Sequence, residues 1–355
     1  MTAAWTPLGD PTLGTDHEEV GGIWRKRTGL MAIVAIHSTA LGPSLGGTRF
    51  KPYDSVAEAL NDVLRLSKGM SYKSAMAGLD LGGGKAVIIG DPAKLRSPEF
   101  FKDYAAFLDS FGGRYFTAED VGTSQADMDE LGRYTSYVAG RSTEVGGSGD
   151  PSPVTAYGVF RAMQAAAERL WGSSSLSGRT IAISGVGKVG SSLARLAAAE
   201  GAKLVVADVN QAAVDELVEA IGASPTEVSE IHRTHCDIYA PCALGAALNE
   251  TTVPELACEA VVGAANNQLS GPEMADELAR RHIAYVPDYV ANAGGVINIA
   301  YERGGYDPEA ARAHVGRIYD TVLELFAEAQ ASGQTLEAVA DRTAEERIAK
   351  AARRS

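Results

Sequence analysis

Residues 178–210, GRTIAISGVGKVGSSLARLAAAEGAKLVVADVN, leave few folds open to this chain. The apolar run Thr180–Ser184 reads as a strand, and Gly185, Gly187 and Gly190 follow it as G-x-G-x-x-G. A helical pattern then runs to Gly201, and a second strand, Lys203–Ala207, ends in Asp208. Three spaced glycines alone are a weak signal; with strand, helix and a correctly spaced acid they specify a dinucleotide-binding βαβ unit. The first glycine makes the turn, the second lets a pyrophosphate reach the backbone, and the third lets helix pack on strand. The helix N-terminus adds positive potential for the phosphates. Val186, Lys188 and Val189 complete the loop. Asp208 would accept from both ribose hydroxyls and repel a 2′-phosphate, which favours NAD over NADP, and Lys188 does not overturn that.

Downstream, apolar segments at 237–243, 260–268 and 283–295 read as further strands, each ending in small or polar residues at the carboxyl edge. Asn266, Asn267 and Asn292 stand there as paired donors and acceptors. A helix is expected over 308–331 and a charged, alanine-rich one over 335–353, packing back on the first half. Cys242 in APCA reads as small and buried beside the cofactor rather than nucleophilic. The cluster His232, His235 and Cys236 lacks the second ligand pair of a closed zinc site, and Cys242 does not fit the usual spacing. A polar connection is expected there, and no metal.

The first half is organised around Lys68–Val87, KGMSYKSAMAGLDLGGGKAV. Lys68, Lys73 and Lys85 stand among small and apolar residues, and Lys85 follows three glycines at the expected edge of a sheet. Surface exposure is the ordinary lot of a lysine. The setting favours function for Lys73 and Lys85, because a partly desolvated ammonium can act as acid or base near neutral pH, and leaves Lys68 open. Upstream, residues 30–38 read as a buried strand. LGPSLGGTRF reads as a Pro/Gly turn ending at Arg49, in which Gly46 and Gly47 either face an anion or simply turn the chain. Ser55 and Glu58 form a capping box for a helix to about Ser67. A strand at Lys85–Ile89, a helix over 98–111 and a short strand at 115–117 follow, with Glu119 and Asp120 at the strand end. The polar segment 141–153 marks a boundary before a helical run.

At 355 residues two domains are the natural expectation. The formal charge of -13 disfavours nucleic acid and anionic membranes as partners. The N-terminal residues MTAAWTPLGD lack a signal peptide's basic start and apolar core, and no apolar run is long enough for a membrane span. Three cysteines are too few for a disulfide framework, so a cytoplasmic protein is expected.

In order, the segments LGPSLGGTR, KGMSYK, AGLDLGGGKAV, TAEDVGTS, GDPSPVTAYGVF, GVGKVG, APCALG, GAANNQL and PDYVANAGGVIN resemble the amino acid dehydrogenase family that includes the glutamate, leucine, valine and phenylalanine enzymes. The likeness is greatest to the leucine and valine branch. It implies an α/β protein with an N-terminal substrate and oligomerisation domain over 1–145, joined by the helix at 332–355. A Rossmann domain over 146–331, a cleft between the two, and homo-oligomers from dimer to octamer are implied as well. By this resemblance Lys73 binds the substrate carboxylate, Lys85 is the catalytic lysine, and Asp120 assists at the amine. Gly46, Gly47 and Asn266 lie near the substrate, and Leu45, Ala118, Val296 and Ile299 line its side-chain pocket. Thr155 contacts the carboxamide, Val209 and Cys242 line the adenosine, and Ala243, Asn267, Asn292 and Arg49 are counted with the cofactor contacts. The implied reaction is reversible, NAD-dependent oxidative deamination of valine, leucine or isoleucine to a 2-oxo acid, ammonium and NADH. Phenylalanine is the alternative substrate within the family, and a non-catalytic NAD(H) sensor the alternative outside it.

Overall fold

The computed structural model describes residues 16–243 and 245–354. The expectation about a signal peptide falls outside the described residues. The chain divides into two compact units, one of residues 1–150, 299–308 and 344–355, the other of 151–298 and 309–343. The ranges expected from the sequence differ in three places: 146–150 and 299–308 lie in the first unit, and the C-terminal helix divides at 343/344.

The first unit is built on a five-stranded mixed sheet of β1 (Glu19–Arg25), β2 (Leu30–Ser38), β3 (Ser44–Lys51), β4 (Gly82–Ile89) and β5 (Tyr115–Glu119). Their order is β1-β2-β4-β3-β5, with β4 central, β2 antiparallel to it, and β3 parallel to both β4 and β5. The helices are α1 (Val56–Met76), the short α2 (Pro92–Leu95), α3 (Pro98–Asp109) and α4 (Gln125–Leu131). Strand alternation sends Ala32, Val34, Ile36, Ala86 and Ile88 to one face, where Phe100, Tyr104 and Leu108 of α3 cover them. Ile33, Ala35 and Val87 take the other face, under Ala59 and Val63 of α1.

Several expectations for this unit are corrected. LGPSLGGTRF is mostly strand, not turn: Gly46 and Gly47 lie within β3. The helix opened by Ser55, whose hydroxyl accepts from Glu58 N, runs on to Met76, so Lys68 and Lys73 are helical. The buried side of the added turns carries small residues, Ser67, Ser71 and Ser74, and Ser71 and Ser74 fit against the glycines of β4. Gly82, Gly83 and Gly84 have no positive φ and lie inside that strand. A β-carbon on Gly83 would stand 2.0 Å from the backbone nitrogen of Ser71, and one on Gly84 would stand 2.7 Å from the Tyr115 ring. These glycines therefore admit protein rather than ligand. Lys85 is in the middle strand of the sheet, not at its edge.

The second unit carries six parallel strands, β6 (Thr180–Ser184), β7 (Lys203–Ala207), β8 (Ser224–Pro225), β9 (Ile238–Pro241), β10 (Ala260–Val261) and β11 (Ala284–Tyr285). The order β11-β10-β9-β6-β7-β8 reverses direction at β6, a doubly wound topology with its switch point between β6 and β9. Its helices begin with α5 (Ser152–Trp171), α6 (Lys188–Ala199), α7 (Gln211–Ile221), α8 (Glu273–Arg280), α9 (Asp288–Ala291) and α10 (Gly294–Ala300). They continue with α11 (Pro308–Gly316), α12 (Ile318–Ser332) and α13 (Leu336–Ala352); of these helices, residues 299–300, 308 and 344–352 belong to the first unit. The strands expected at 260–268 and 283–295 are each two residues long, and the second gives way to α9 and α10. Continuous apolar runs do not distinguish a buried strand from a buried helix, so Asn292 sits at the C-cap of α9 and Val296 within α10. The helix expected over 308–331 breaks between Gly316 and Ile318.

The two glycines on either side of the α1–β4 contact separate helix propensity from packing. Gly69, on the exposed side of α1, has no atom within 4 Å of an added β-carbon, so Gly69→Ala should stabilise the protein by about 1 kcal/mol. Gly83→Ala should destabilise it by about 2–3 kcal/mol, because backbone must move to admit the methyl. Urea midpoints of the two variants should therefore shift in opposite directions.

Candidate active site

In the first unit the register sets three charged residues side by side. Thr48 pairs with Ala86 of β4 on one side and with Glu119 of β5 on the other. Lys85, Arg49 and Asp120 each lie one position from that row. Lys85 is 6% exposed, and its ammonium donates to Asp120 Oδ2 across the intervening strand β3. It can cross because Gly47, on the same side of β3 as Arg49, presents no side chain. A β-carbon on Gly47 would stand 2.8 Å from Asp120 Cβ and 2.5 Å from Glu119 O. The pairing of β3 with β4 also lapses at Gly46 and Gly47.

Asp120 caps β5, where its Oδ1 accepts from Val121 N at 2.6 Å and faces Arg49 Nε at 3.5 Å. Burial pushes its carboxyl upward, but Lys85 and Arg49 outweigh that and hold it at about 2. Asp120 is therefore an anion over the whole physiological range. Arg49, counted with the cofactor contacts from the sequence, has its guanidinium engaged within this unit. It donates to both oxygens of Asp62 on α1, at 3.3 and 3.1 Å, and Asp62 also accepts from Tyr53 Oη at 2.9 Å. Burial disfavours the Arg49 cation, and Asp120 and Asp62 more than compensate, so its pKa is raised. Sequence reasoning misses Asp62 and Tyr53; nothing local signals that a helical aspartate meets an arginine 13 positions earlier.

Lys73 lies in the last turn of α1, one residue from Ser74, whose hydroxyl reaches Gly82 O at 3.4 Å. Lys68, whose role the sequence leaves open, donates to Asp16 Oδ2 at 2.9 Å, and Asp16 faces His37 at 3.4 Å. Leu45 and Ala118 are buried on β3 and β5, and Ile299 belongs to this same unit. A β-carbon on Gly140 would stand 3.8 Å from Ala118 Cβ and 3.9 Å from Ile299 Cγ2, so those two walls flank one spot.

The second unit presents the glycine loop at its switch point. Gly185 has φ +99°, and a β-carbon there would stand 2.7 Å from Ala243, beyond β9. A β-carbon on Gly190 would stand 2.0 Å from Gly185 O and 3.4 Å from Cys242 Cβ. Around Gly187 there is open space, and α6 begins there with no side-chain cap on its N-terminus. This is the arrangement a pyrophosphate needs. Val186 N donates to Asp208 Oδ2 at 2.7 Å, which ties the acid at the end of β7 to the loop that also holds Lys188 and Val189. Val209 is 91% exposed. Burial pushes the Cys242 thiol up to about 12, which suits a packing residue. Asn292 donates to Ala264 O and to Asn266 Oδ1, each at 3.0 Å, while its own buried Oδ1 has no protein partner. Asn267 adopts φ +52°. Thr155 Oγ1 donates to Pro151 O at 3.0 Å, beside Gly295. Val296 is buried on α10. In the rival cluster His232 bonds Glu255 at 2.7 Å, and among the described residues no group of three or more His, Cys, Asp or Glu gathers as a metal site. Among the described residues no helix is long and apolar enough to cross a membrane.

A doubly wound parallel sheet with an open glycine loop at its switch point, in a chain that also buries a lysine against an ionised aspartate, defines a dinucleotide-linked oxidoreductase with proton-handling groups. Comparison with known proteins narrows the class. Residues 19–137 match the Glu/Leu/Phe/Val dehydrogenase dimerisation domain, and residues 146–217 and 206–355 match Glutamate/Leucine/Phenylalanine/Valine dehydrogenase. Leucine dehydrogenase of Bacillus cereus is 51% identical over 334 residues, 94% of this chain and 91% of its own. Valine dehydrogenase of Streptomyces coelicolor is 52% identical over 339 residues, 94% of this chain and 93% of its own. The crystal structure of L-tryptophan dehydrogenase from Nostoc punctiforme superposes with a TM-score of 0.86 at 40% identity, covering 98% of this chain and all of that one. The chain belongs to the glutamate/leucine/phenylalanine/valine dehydrogenase family. It is an amino acid dehydrogenase acting on a CH–NH2 group with a nicotinamide cofactor.

Asp120 yields two expected outcomes. Its carboxyl is depressed from 3.8 to about 2, so it adds stability above pH 4 that fades as the carboxylate protonates on the way to pH 2. Asp120→Asn should cost roughly 2 kcal/mol at pH 7, and the gap to wild type should close between about pH 4 and pH 2 in chemical denaturation. Gly47→Ala should displace Asp120 from Lys85 and lower kcat about a hundredfold in steady-state assays.

Proposed function

We propose that this chain catalyses the reversible, NAD-dependent oxidative deamination of branched-chain aliphatic L-amino acids. The observation that carries the reading is the buried Lys85–Asp120 pair in a unit whose expected side-chain walls, Leu45, Ala118 and Ile299, are all aliphatic. No charged residue stands among those walls to receive a glutamate side chain. Leucine and valine dehydrogenases are among the relatives that share half of its sequence. Leu45 and Ile299 would crowd an aromatic ring and suit a branched chain.

In this reading Lys73 takes the substrate α-carboxylate, and Gly46, Gly47 and Asn266 lie along the substrate backbone. Asp120, ionised at all working pH values, attracts the α-ammonium and accepts a hydrogen bond from Lys85. The amino group must lose a proton before the α-carbon can release hydride, and Lys85 is placed to accept it. The bound nicotinamide supplies the hydride acceptor. Lys85 passes that proton to solvent, takes another from the water that adds to the imine, and returns it to the departing nitrogen. The sum is amino acid, NAD⁺ and water giving 2-oxo acid, ammonium, NADH and a proton.

The dinucleotide would be held by Gly185, Gly187 and Gly190, with Asp208 to receive the ribose hydroxyls and Thr155, Asn267 and Asn292 to meet the carboxamide. A 2′-phosphate would face the Asp208 carboxylate, so NAD is the cofactor chosen. Val209, Cys242 and Ala243 flank the adenosine. The match of residues 19–137 to a dimerisation domain supports a homo-oligomer, and the acidic, cysteine-poor composition suits the cytoplasm.

Initial rates with valine, leucine, isoleucine, phenylalanine and glutamate test the substrate. A branched aliphatic chain should give the highest kcat/KM, and fastest turnover of phenylalanine or glutamate would refute the pocket assignment. NADP should be the poorer cofactor by about a hundredfold or more in kcat/KM, corresponding to roughly 3 kcal/mol at the ribose. Lys85→Ala should abolish turnover and leave NADH binding within about twofold by fluorescence titration, since the dinucleotide contacts lie in the other unit.

A further inference from the structure

We propose that Glu302 and Gly140 set the depth of the side-chain pocket, and through it the choice among aliphatic substrates. The inference rests on the branched-chain reading above and assigns its specificity to two residues outside the expected pocket walls.

Residues 299–308 pack with the first unit, although the chain before and after them, through Asn298 and from Glu309, packs with the second. One carboxylate ties this segment to a loop of the first unit. Glu302 Oε2 accepts from Gly140 N at 2.9 Å, and Oε1 accepts from Ser148 N at 2.7 Å. Two separate oxygens meet two separate N–H groups of one loop, which an amide side chain cannot reproduce, because its nitrogen would face an N–H donor. The same residue closes the turn that carries the pocket wall, since Glu302 N donates to Ile299 O at 3.2 Å. Arg303 adds a second anchor with its guanidinium carbon 4.6 Å from the centroid of the Phe116 ring. Ile299 is thus positioned by Glu302, not by its own contacts alone.

The loop that Glu302 grips is itself tied to β5. Thr117 N donates to Tyr137 O at 3.0 Å, and Ala139 N donates to Thr117 O at 2.8 Å. That pairing puts Gly140 beside Ala118. Gly140 has φ +75°, a conformation suited to glycine. The missing β-carbon would stand at ordinary contact distance, 3.8 Å and 3.9 Å, from Ala118 Cβ and Ile299 Cγ2. Gly140 therefore leaves a gap one methyl deep between two pocket walls, and Glu302 holds the gap at fixed width.

The test compares kcat/KM for 2-aminobutyrate, valine and leucine in the full-length enzyme with NAD. Gly140→Ala should lower the leucine-to-valine ratio about tenfold, the scale of one misplaced methyl group. Glu302→Ala should drive the ratios among the three substrates toward one, with KM rising several times more than kcat falls. A merely structural loss would depress all three substrates together and leave their ratios alone. If Glu302→Ala does not fold, Gly140→Ala decides: an alanine at φ +75° strains the backbone but leaves the Glu302 carboxylate in place. Ratios within twofold of wild type in the folded variants overturn the inference while leaving the branched-chain reading intact. Wild-type preference for glutamate or phenylalanine overturns both, and is seen before any variant is made.

Discussion

The first unit depends on one ion pair laid across a strand. Lys85 on β4 and Asp120 beyond β5 are separated by β3, and they meet only because β3 carries Gly47 where any other residue would interpose a side chain. A buried ion pair is expensive to desolvate and more expensive to break, since removing one partner strands a charge. Here Arg49 adds a second cation to Asp120, and Asp62 in turn neutralises Arg49. The chain of charges alternates in sign, so each desolvated charge has an opposite neighbour. The outcome is a carboxylate held ionised beside an amine that crosses a gap only glycine leaves.

Glycine does different work in the two units. In the first, Gly83 and Gly84 let α1 and Tyr115 approach β4 so closely that no β-carbon fits. That approach fixes the turn of α1 that bears Lys73 over the strand that bears Lys85. In the second, Gly185 and Gly190 admit neighbouring backbone and Ala243, while Gly187 faces open space. A cradle for an anion needs both kinds, two glycines to bring strand and helix together and one to leave room.

The segments that are hardest to read share a cause. IAYVPDYVANAGG reads as one strand and is a two-residue strand followed by α9 and the start of α10, because burial on all sides erases the periodicity that would tell them apart. The GGGK segment is expected to lead into an edge strand and instead lies inside the central one, because the space its glycines leave is taken by the backbone of Ser38, by Ser71 of α1 and by the Tyr115 ring. Asp62 and Glu302 carry no local signal at all. Each acts on a residue brought near by folding, Arg49 in one case and the Gly140 loop in the other.

Sequence alone determined the dinucleotide unit, since β6, Gly185, Gly187, Gly190, α6 and Asp208 lie within one continuous βαβ stretch and interact through short-range geometry. It also determined which charged residues were candidates, because Lys73, Lys85 and Asp120 sit in apolar or strand-end settings visible in the chain. Tertiary structure decided how those charges pair, that Lys68 and Arg49 are held by Asp16 and Asp62, and that the turn after Ile299 is tied to the Gly140 loop through Glu302. The division follows from distance along the chain: bonds within a turn or a βαβ unit leave a periodic trace, whereas a contact across β3 is created by sheet order and register, which no single segment encodes.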